Sequence, residues 1–207
     1  MNLSPAAKKT FAAAAPLALA IVELFHPHAH DLLDVDLRRW MTVHYAQIVL
    51  FPLAALAACT FVAGMSGAAA TLSRTMMFAF AVSYVAFDTA AGVVTGVLVQ
   101  AAHASGAPEA WRLPIQAIWD HAVVGGNSEG TPALAVVGTM AWLVGTLSAA
   151  AAHWRAKRSW VSTAALIVSA FGLFVFRTHA WPGGPVTFGA LALAAAADRL
   201  DTRIVDR

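Results

Sequence analysis

The sequence has almost none of the chemistry that cysteine provides. Cys59 is the only cysteine among 207 residues, and it lies in an apolar stretch. A disulfide framework and a thiolate metal motif are therefore both excluded. Any metal site in this chain has to be built from histidine and carboxylate side chains.

Charged residues are also scarce. They make up 12% of the chain, whereas 59% of the residues are hydrophobic and the mean hydropathy is +0.68. This balance is typical of an integral membrane protein and not of a soluble domain. The 13 basic residues stand in small groups at the ends of apolar runs, which positive-inside topology explains better than a nucleic-acid surface does. The sequence also lacks a nucleotide fingerprint and a glycine-rich phosphate loop.

The apolar runs predict an all-α, polytopic membrane helical bundle that forms one domain over residues 1–207. The six expected transmembrane helices cover residues 10–27, 40–64, 74–101, 132–153, 160–180 and 185–199. The one long loop follows the third span and carries Trp111, Ile115 and Trp119 at helical spacing. This loop is therefore predicted to contain an additional interfacial helix.

The distribution of lysine and arginine predicts the orientation in the membrane. Nine of these residues lie at the termini and in the second and fourth loops, and four lie at the opposite face. Both termini are therefore expected to be cytoplasmic, in a cell inner (plasma) membrane. Seven of the eight histidines fall on the other, extracytoplasmic side: His26, His28, His30, His44, His103, His121 and His179. We therefore expect any chemistry on that side.

Two carboxylates lie at the same predicted depth. Glu23 and Asp88 each follow the basic residue at the inner end of their helix by fourteen residues. At a rise of about 1.5 Å per residue both lie about 21 Å from that end, inside the outer leaflet. The same arithmetic puts His44 and His179 about 30 Å up, at the mouth of the bundle. A buried ionised carboxylate costs several kcal/mol unless it is paired or hydrated, so both acids are expected to face the bundle interior.

Glu23 and His26 form a Glu-x-x-His motif. This spacing projects both side chains from one helix face and serves carboxylate-bridged metal sites in helical bundles. We expect His26 to remain on the helix, with Pro27 turning the chain away next to it. On the second helix His44 and Gln47 repeat the spacing, where the glutamine is better suited to orienting a ligand than to binding a metal. A salt bridge from an arginine to Glu23 is the alternative interpretation of the buried acid.

These patterns predict a metal site that opens to the extracytoplasmic face. The predicted metal ligands are Glu23, His26, His44, His121 and His179, the predicted catalytic proton acceptors are Asp88 and Glu23, and the predicted cofactor-binding or substrate-binding residues are Gln47 and Arg39. Mixed histidine and carboxylate ligation suits zinc first, and iron or manganese next. The predicted function is a metal-dependent hydrolase that activates water and acts on a small-molecule or lipid-like substrate drawn from the membrane lipids.

Simpler interpretations compete for several of these residues. His28 and His30 are expected to belong to a solvated loop. His121 stands beside Asp120 on the interfacial helix and would cap the site from above. Gly92 and Gly96 are expected to allow a neighbouring helix to approach closely.

Two other functions remain open at this stage. In a proton- or cation-coupled transporter or sensor, Glu23 and Asp88 would bind and release the ion, although the inner halves of the helices offer few polar groups. In a haem-binding electron carrier, His44 and His179 would be the axial ligands. We rank haem lower because it does not require the buried acids.

Overall fold

The computed structural model describes residues 5–28, 31–127 and 131–205, and within these ranges it contains helices and no strands. The helices are α1 (Pro5–Leu24), α2 (Leu37–Thr60), α3 (Ala68–Phe87), α4 (Thr95–Ala104), α5 (Arg112–Trp119), α6 (Ala133–Arg155), α7 (Trp160–Phe176) and α8 (Gly183–Val205). A π-helical segment, Asp88–Val94, joins α3 to α4, and short 3₁₀ turns cover Leu32–Asp34 and Pro108–Trp111.

Within the described residues, three helices are long and apolar enough to cross a membrane: Leu37–Thr60, Ala68–Ala104 and Ala133–Arg155. The last helix but one, Trp160–Phe176, is apolar but shorter. These helices support the prediction of an all-helical membrane protein.

Capping residues determine where several helices begin and end. The Asp36 side chain accepts a hydrogen bond from the Arg39 backbone N–H and starts α2, and Ser159 starts α7 in the same way. At the other end of α7, Arg177 takes up a left-handed conformation with φ 53°, which is incompatible with a continuing helix. The fifth predicted span is therefore shorter than expected.

A cluster of aromatic rings joins four helices. Phe51 of α2, Phe80 and Tyr84 of α3, Trp142 of α6 and Phe188 of α8 contact each other with ring centres 4.6–6.0 Å apart. All five are buried. This core fixes the relative positions of the helices on which the candidate site stands.

Candidate functional site

A cavity of about 200 Å³ lies where α1 and α7 end and α2 begins. Its walls come from the segment after α1, from α2, from the π-helical segment and from the segment between α7 and α8; His26, His28, Trp40, His44, Asp88 and His179 are among the residues that line it. We refer to it as the site cavity.

Three imidazoles from different parts of the chain meet at the site cavity. The ring centre of His26 lies 5.0 Å from that of His44 and 4.8 Å from that of His179. His26 stands in the middle and contacts both edge to face. The fold therefore brings together residues that are far apart in sequence.

Hydrogen bonds fix which nitrogen of two of these imidazoles is free. The Nδ1 atom of His44 lies 2.7 Å from the Trp40 carbonyl oxygen, and that of His26 lies 3.0 Å from the Pro27 carbonyl oxygen. A carbonyl only accepts, so Nδ1 is the donor in both rings and the lone pair of each neutral ring is on Nε2. This arrangement is the one in which a histidine presents Nε2 to a metal.

Several polar atoms at the cavity have no hydrogen-bond partner among the described residues. They are His26 Nε2, His179 Nε2 and both carboxylate oxygens of Asp88. Asp88 is 1% exposed, and its Oδ1 lies 3.8 Å from His44 Nε2. Unpartnered buried polar atoms cost free energy, so a group that binds in this cavity gains by satisfying them.

The π-helical segment packs against α2 beside the site cavity. It begins at Asp88, and the Trp40 indole N–H donates to the Gly92 carbonyl oxygen at 2.8 Å. A Cβ atom at Gly92 would overlap the His44 ring, and one at Gly96 would overlap Met41. The predicted close helix approach at these two glycines is thus confirmed, and its partner is α2.

Glu23 lies next to the site cavity but not in its wall. It is completely buried, and the Gln47 side-chain amide donates to both of its carboxylate oxygens at 2.9 and 3.0 Å. Gln47 therefore takes the place of the arginine considered as its alternative partner. Gly184 of α8 packs against the Glu23 side chain, where a Cβ atom would not fit.

The expectation that His26 remains on the helix is wrong. Helix α1 ends at Leu24, two residues before His26, because Pro27 disfavours a helical conformation in the residue that precedes it. His26 consequently reaches the cavity from an irregular segment. The Glu-x-x-His pair spans the helix end instead of one helix face.

Two predicted site residues lie elsewhere in the structure. His121 is exposed and absent from the cavity wall, and its Nδ1 atom accepts hydrogen bonds from the backbone N–H groups of Val123 and Val124. Arg39 donates through Nε to the Phe25 carbonyl oxygen at 2.6 Å and so holds the end of α1. Both residues therefore have local structural partners.

Several residues that line the cavity were not among the predicted site residues. Trp40 stacks beside His44 with ring centres 4.5 Å apart, Trp119 forms another part of the wall, and His28 lies 6.4 Å from His26 between ring centres. A tryptophan one helical turn before a histidine was the available signal for Trp40. His30, the companion of His28 in the predicted solvated loop, lies outside the described residues.

A cluster of charged side chains joins the segment before α2 to the start of α5. Arg112 at the start of α5 pairs with Asp31 at 2.9 Å and with Glu109 at 2.8 Å. The Leu33 backbone N–H and Arg112 lower the pKa of Asp31, and Arg112 lowers the pKa of Glu109. These contacts tie the segment before α2 to α5, whose last residue is Trp119.

No group of three or more His, Cys, Asp or Glu side chains in residues 5–28, 31–127 and 131–205 is already arranged to hold a metal ion. Ion binding at the site cavity therefore requires side chains to move closer together. Comparison of the chain with protein-family models, with curated proteins and with solved structures found no match.

Proposed function

We propose that the site cavity binds one transition metal ion through Nε2 of His26, His44 and His179. The two ring separations around His26 carry this proposal. Two imidazoles on one zinc ion, with Zn–N bonds of about 2.1 Å in tetrahedral geometry, have ring centres about 5 Å apart. The separations around His26, 5.0 and 4.8 Å, match this value, and binding further requires the three side chains to rotate so that their Nε2 atoms converge.

The volume and the donors of the cavity favour an ion over haem. A cavity of about 200 Å³ is smaller than the roughly 300–1,000 Å³ of ordinary ligand pockets, and it accommodates an ion with a few waters. Three imidazole ligands and an open fourth position are typical of catalytic zinc, and iron or manganese is the next choice.

The proposed membrane arrangement has six spans, with the site at the extracytoplasmic face. Besides the three long apolar helices, α1 has 20 residues, α7 has 17 and α8 has 23, and helices of about 17–25 residues can cross a hydrocarbon core of about 30 Å. Helix α5 buries Ile115 but leaves Leu113 82% exposed, as expected of a helix that lies at an interface. The excess of lysine and arginine at the opposite end of the bundle supports a cytoplasmic position for both termini, in a cell inner (plasma) membrane.

The proposed activity is hydrolysis of an ester or amide bond in a lipid-like substrate. A bound zinc ion supplies a Lewis acid and lowers the pKa of water to about 7. Asp88 accepts the proton of the attacking water, because both of its oxygens are unpartnered and it stands beside His44. The oxygen of that water adds to the acyl carbon, the bond to the leaving group breaks, and Asp88 returns the proton to the leaving group.

Glu23 acts as a positioning residue in this proposal. Both of its oxygens are occupied by Gln47, so it has less freedom than Asp88 to bind an ion or a proton from the cavity. Its contact with Gly184 connects α1 to the start of α8, directly after the segment that carries His179.

Elemental analysis of the purified full-length chain, after incubation with zinc and removal of loosely bound metal, tests the proposal. We expect about one zinc ion per chain in the unmodified protein and loss of at least 90% of it in His44→Ala and in His179→Ala. Asp88→Asn should retain the zinc but lose hydrolysis of a fluorogenic acyl ester.

His121→Ala is the matched control, since it removes an imidazole near the same end of the bundle that does not line the cavity. It should retain both zinc and activity. Circular dichroism and gel filtration establish that each variant is folded. Absence of zinc in the unmodified protein, or equal retention in folded His44→Ala and His121→Ala, would refute the proposed site.

A further inference from the structure

A second cavity, of about 310 Å³, lies beside the site cavity between α3, α6 and α7. We call it the lateral groove. Its apolar wall includes Phe87, Val136, Met140, Leu173 and Phe174. Three of these side chains, Val136, Met140 and Phe174, are 41–48% exposed on the outer surface of α6 and α7. Because α6 is long and apolar enough to span a membrane, this exposed side of the groove is where lipid chains would be.

The lateral groove and the site cavity share part of their walls. Phe87, Gly126, Thr178 and His179 line both of them. His179 therefore stands at the boundary, with one of the proposed metal-binding nitrogens on its ring. A molecule that lies in the groove has one end next to this histidine.

Among the described residues that line the lateral groove, Arg177 supplies the only charged side chain. It is exposed, it occupies the left-handed end of α7, and none of the described residues forms a hydrogen bond or ion pair with its guanidinium. An arginine at this end of the bundle also runs against the positive-inside tendency, so topology does not explain it. A guanidinium beside an apolar groove is complementary to an anionic head on a hydrocarbon chain.

We propose that the lateral groove binds a single-chain anionic amphiphile, with its chain between α6 and α7 and its carboxylate or phosphate head at Arg177. The volume is at the lower end of the roughly 300–1,000 Å³ range of ligand pockets and suits one chain better than two. Binding of the amphiphile in the groove does not depend on the proposed hydrolysis, whereas its role as a substrate or product rests on that proposal. If the bound molecule is a substrate, its acyl bond next to the head group lies at His179.

Photocrosslinking tests the groove directly. The full chain in phosphatidylcholine nanodiscs is incubated with a long-chain fatty acid that carries a diazirine near its terminal methyl group. After illumination, the labelled peptides are mapped by mass spectrometry. We expect labelling to concentrate on the groove-lining positions of α6 and α7. Ala135→Trp fills the groove and should reduce this labelling at least fivefold, whereas Val168→Trp, at a lipid-exposed α7 position outside the groove, should not.

Competition identifies the head group. Unlabelled fatty acid and lysophosphatidic acid should both displace the probe, and a neutral monoacylglycerol should do so more weakly. Arg177→Gln should weaken the two anionic competitors about three- to fivefold, the range expected of a partly exposed ion pair, and leave the neutral one unchanged. Arg155→Gln, at the other end of the bundle, is the matched control and should have no effect.

His44→Ala separates this proposal from the metal site, because His44 lines the site cavity and not the groove. Labelling of the groove should persist in this variant, and it should persist even if the unmodified protein binds no metal. Labelling that spreads over lipid-exposed positions such as Phe78, and that is as strong in Ala135→Trp as in the unmodified protein, would overturn the proposal that the groove binds the amphiphile. Equal competition by anionic and neutral amphiphiles would overturn the role of Arg177.

Discussion

The pairing of Glu23 with Gln47 makes a sharp prediction about stability. Both side chains are 0% exposed, and the amide of Gln47 is the hydrogen-bond donor to both oxygens of Glu23. Gln47→Met keeps most of the side-chain volume but removes the donor. Glu23 then retains its buried carboxylate with no replacement for these bonds.

The magnitude follows from the cost of an unpaired buried polar group. A buried acceptor that loses its partner costs about 1–3 kcal/mol, and hydrogen bonds to charged groups lie towards the upper end. Double-mutant cycles inside membranes average about 0.6 kcal/mol for hydrogen bonds, because the unfolded chain finds other partners there. We therefore expect Gln47→Met to lower the free energy of unfolding by about 1–2 kcal/mol.

Equilibrium unfolding by a denaturing detergent, followed by circular dichroism, measures this change. The double variant Glu23→Leu with Gln47→Met removes both partners, so no polar group is left buried without a partner. Its loss of unfolding free energy should be about 1 kcal/mol smaller than the sum of the losses in the two single variants. Additive effects in the double variant, or a Gln47→Met variant as stable as the unmodified protein, would show that this hydrogen bond does not stabilise the fold.

Two further predictions concern the neighbourhood of the site. Gly92→Ala forces a methyl group against the imidazole on α2, so we expect about 1–3 kcal/mol of destabilisation or at least tenfold weaker zinc binding by calorimetry, whereas Gly189→Ala, with open space around its Cβ, should be neutral in both. At pH values above the ordinary carboxyl pKa values of 3.8 and 4.5, the cluster of Asp31, Glu109 and Arg112 should stabilise the fold. This contribution should be lost as the pH falls through the lowered pKa values that the two carboxyls have in the folded state. Thermal unfolding at pH 7 and at successively lower pH should therefore show a smaller pH dependence in Arg112→Ala, and an identical pH dependence would contradict the assignment.

The sequence predicted the helices better than their ends. Each of the six longest helical regions overlaps one of the predicted apolar runs, and three of these regions are long and apolar enough to cross a membrane. The ends depended on local backbone effects. Pro27 ended α1 before His26, and the left-handed Arg177 ended α7 before His179. Both histidines thus left the helices on which depth counting had put them.

Depth counting nevertheless selected residues that meet in space. His44 and Asp88 lie 3.8 Å apart between Nε2 and Oδ1, although the count along the helices had put them at levels about 9 Å apart. Depth counting did not predict the π-helical segment that begins at Asp88, or the hydrogen bond from the Trp40 indole to the Gly92 carbonyl oxygen. A π-helical turn depends on packing between helices, and hydrophobic periodicity does not contain that information.

His121 shows the opposite case. Its position in the long loop and its aspartate neighbour made it a predicted ligand, but the decisive property is the direction of its ring. In the structure Nδ1 accepts from two backbone N–H groups of the turn that follows α5, so the neutral ring carries its proton on Nε2. Neither nitrogen then offers a free lone pair.

X-ray absorption spectroscopy of the zinc-loaded protein at the zinc edge determines how many imidazoles bind the ion. We expect four nitrogen or oxygen ligands at about 2.0–2.1 Å, multiple-scattering features of three imidazoles, and no sulfur at about 2.3 Å. His44→Ala should reduce the imidazole number or abolish binding, and His121→Ala should leave the spectrum unchanged. A six-coordinate oxygen shell, or a spectrum with one imidazole or none, would contradict a metal site formed by His26, His44 and His179.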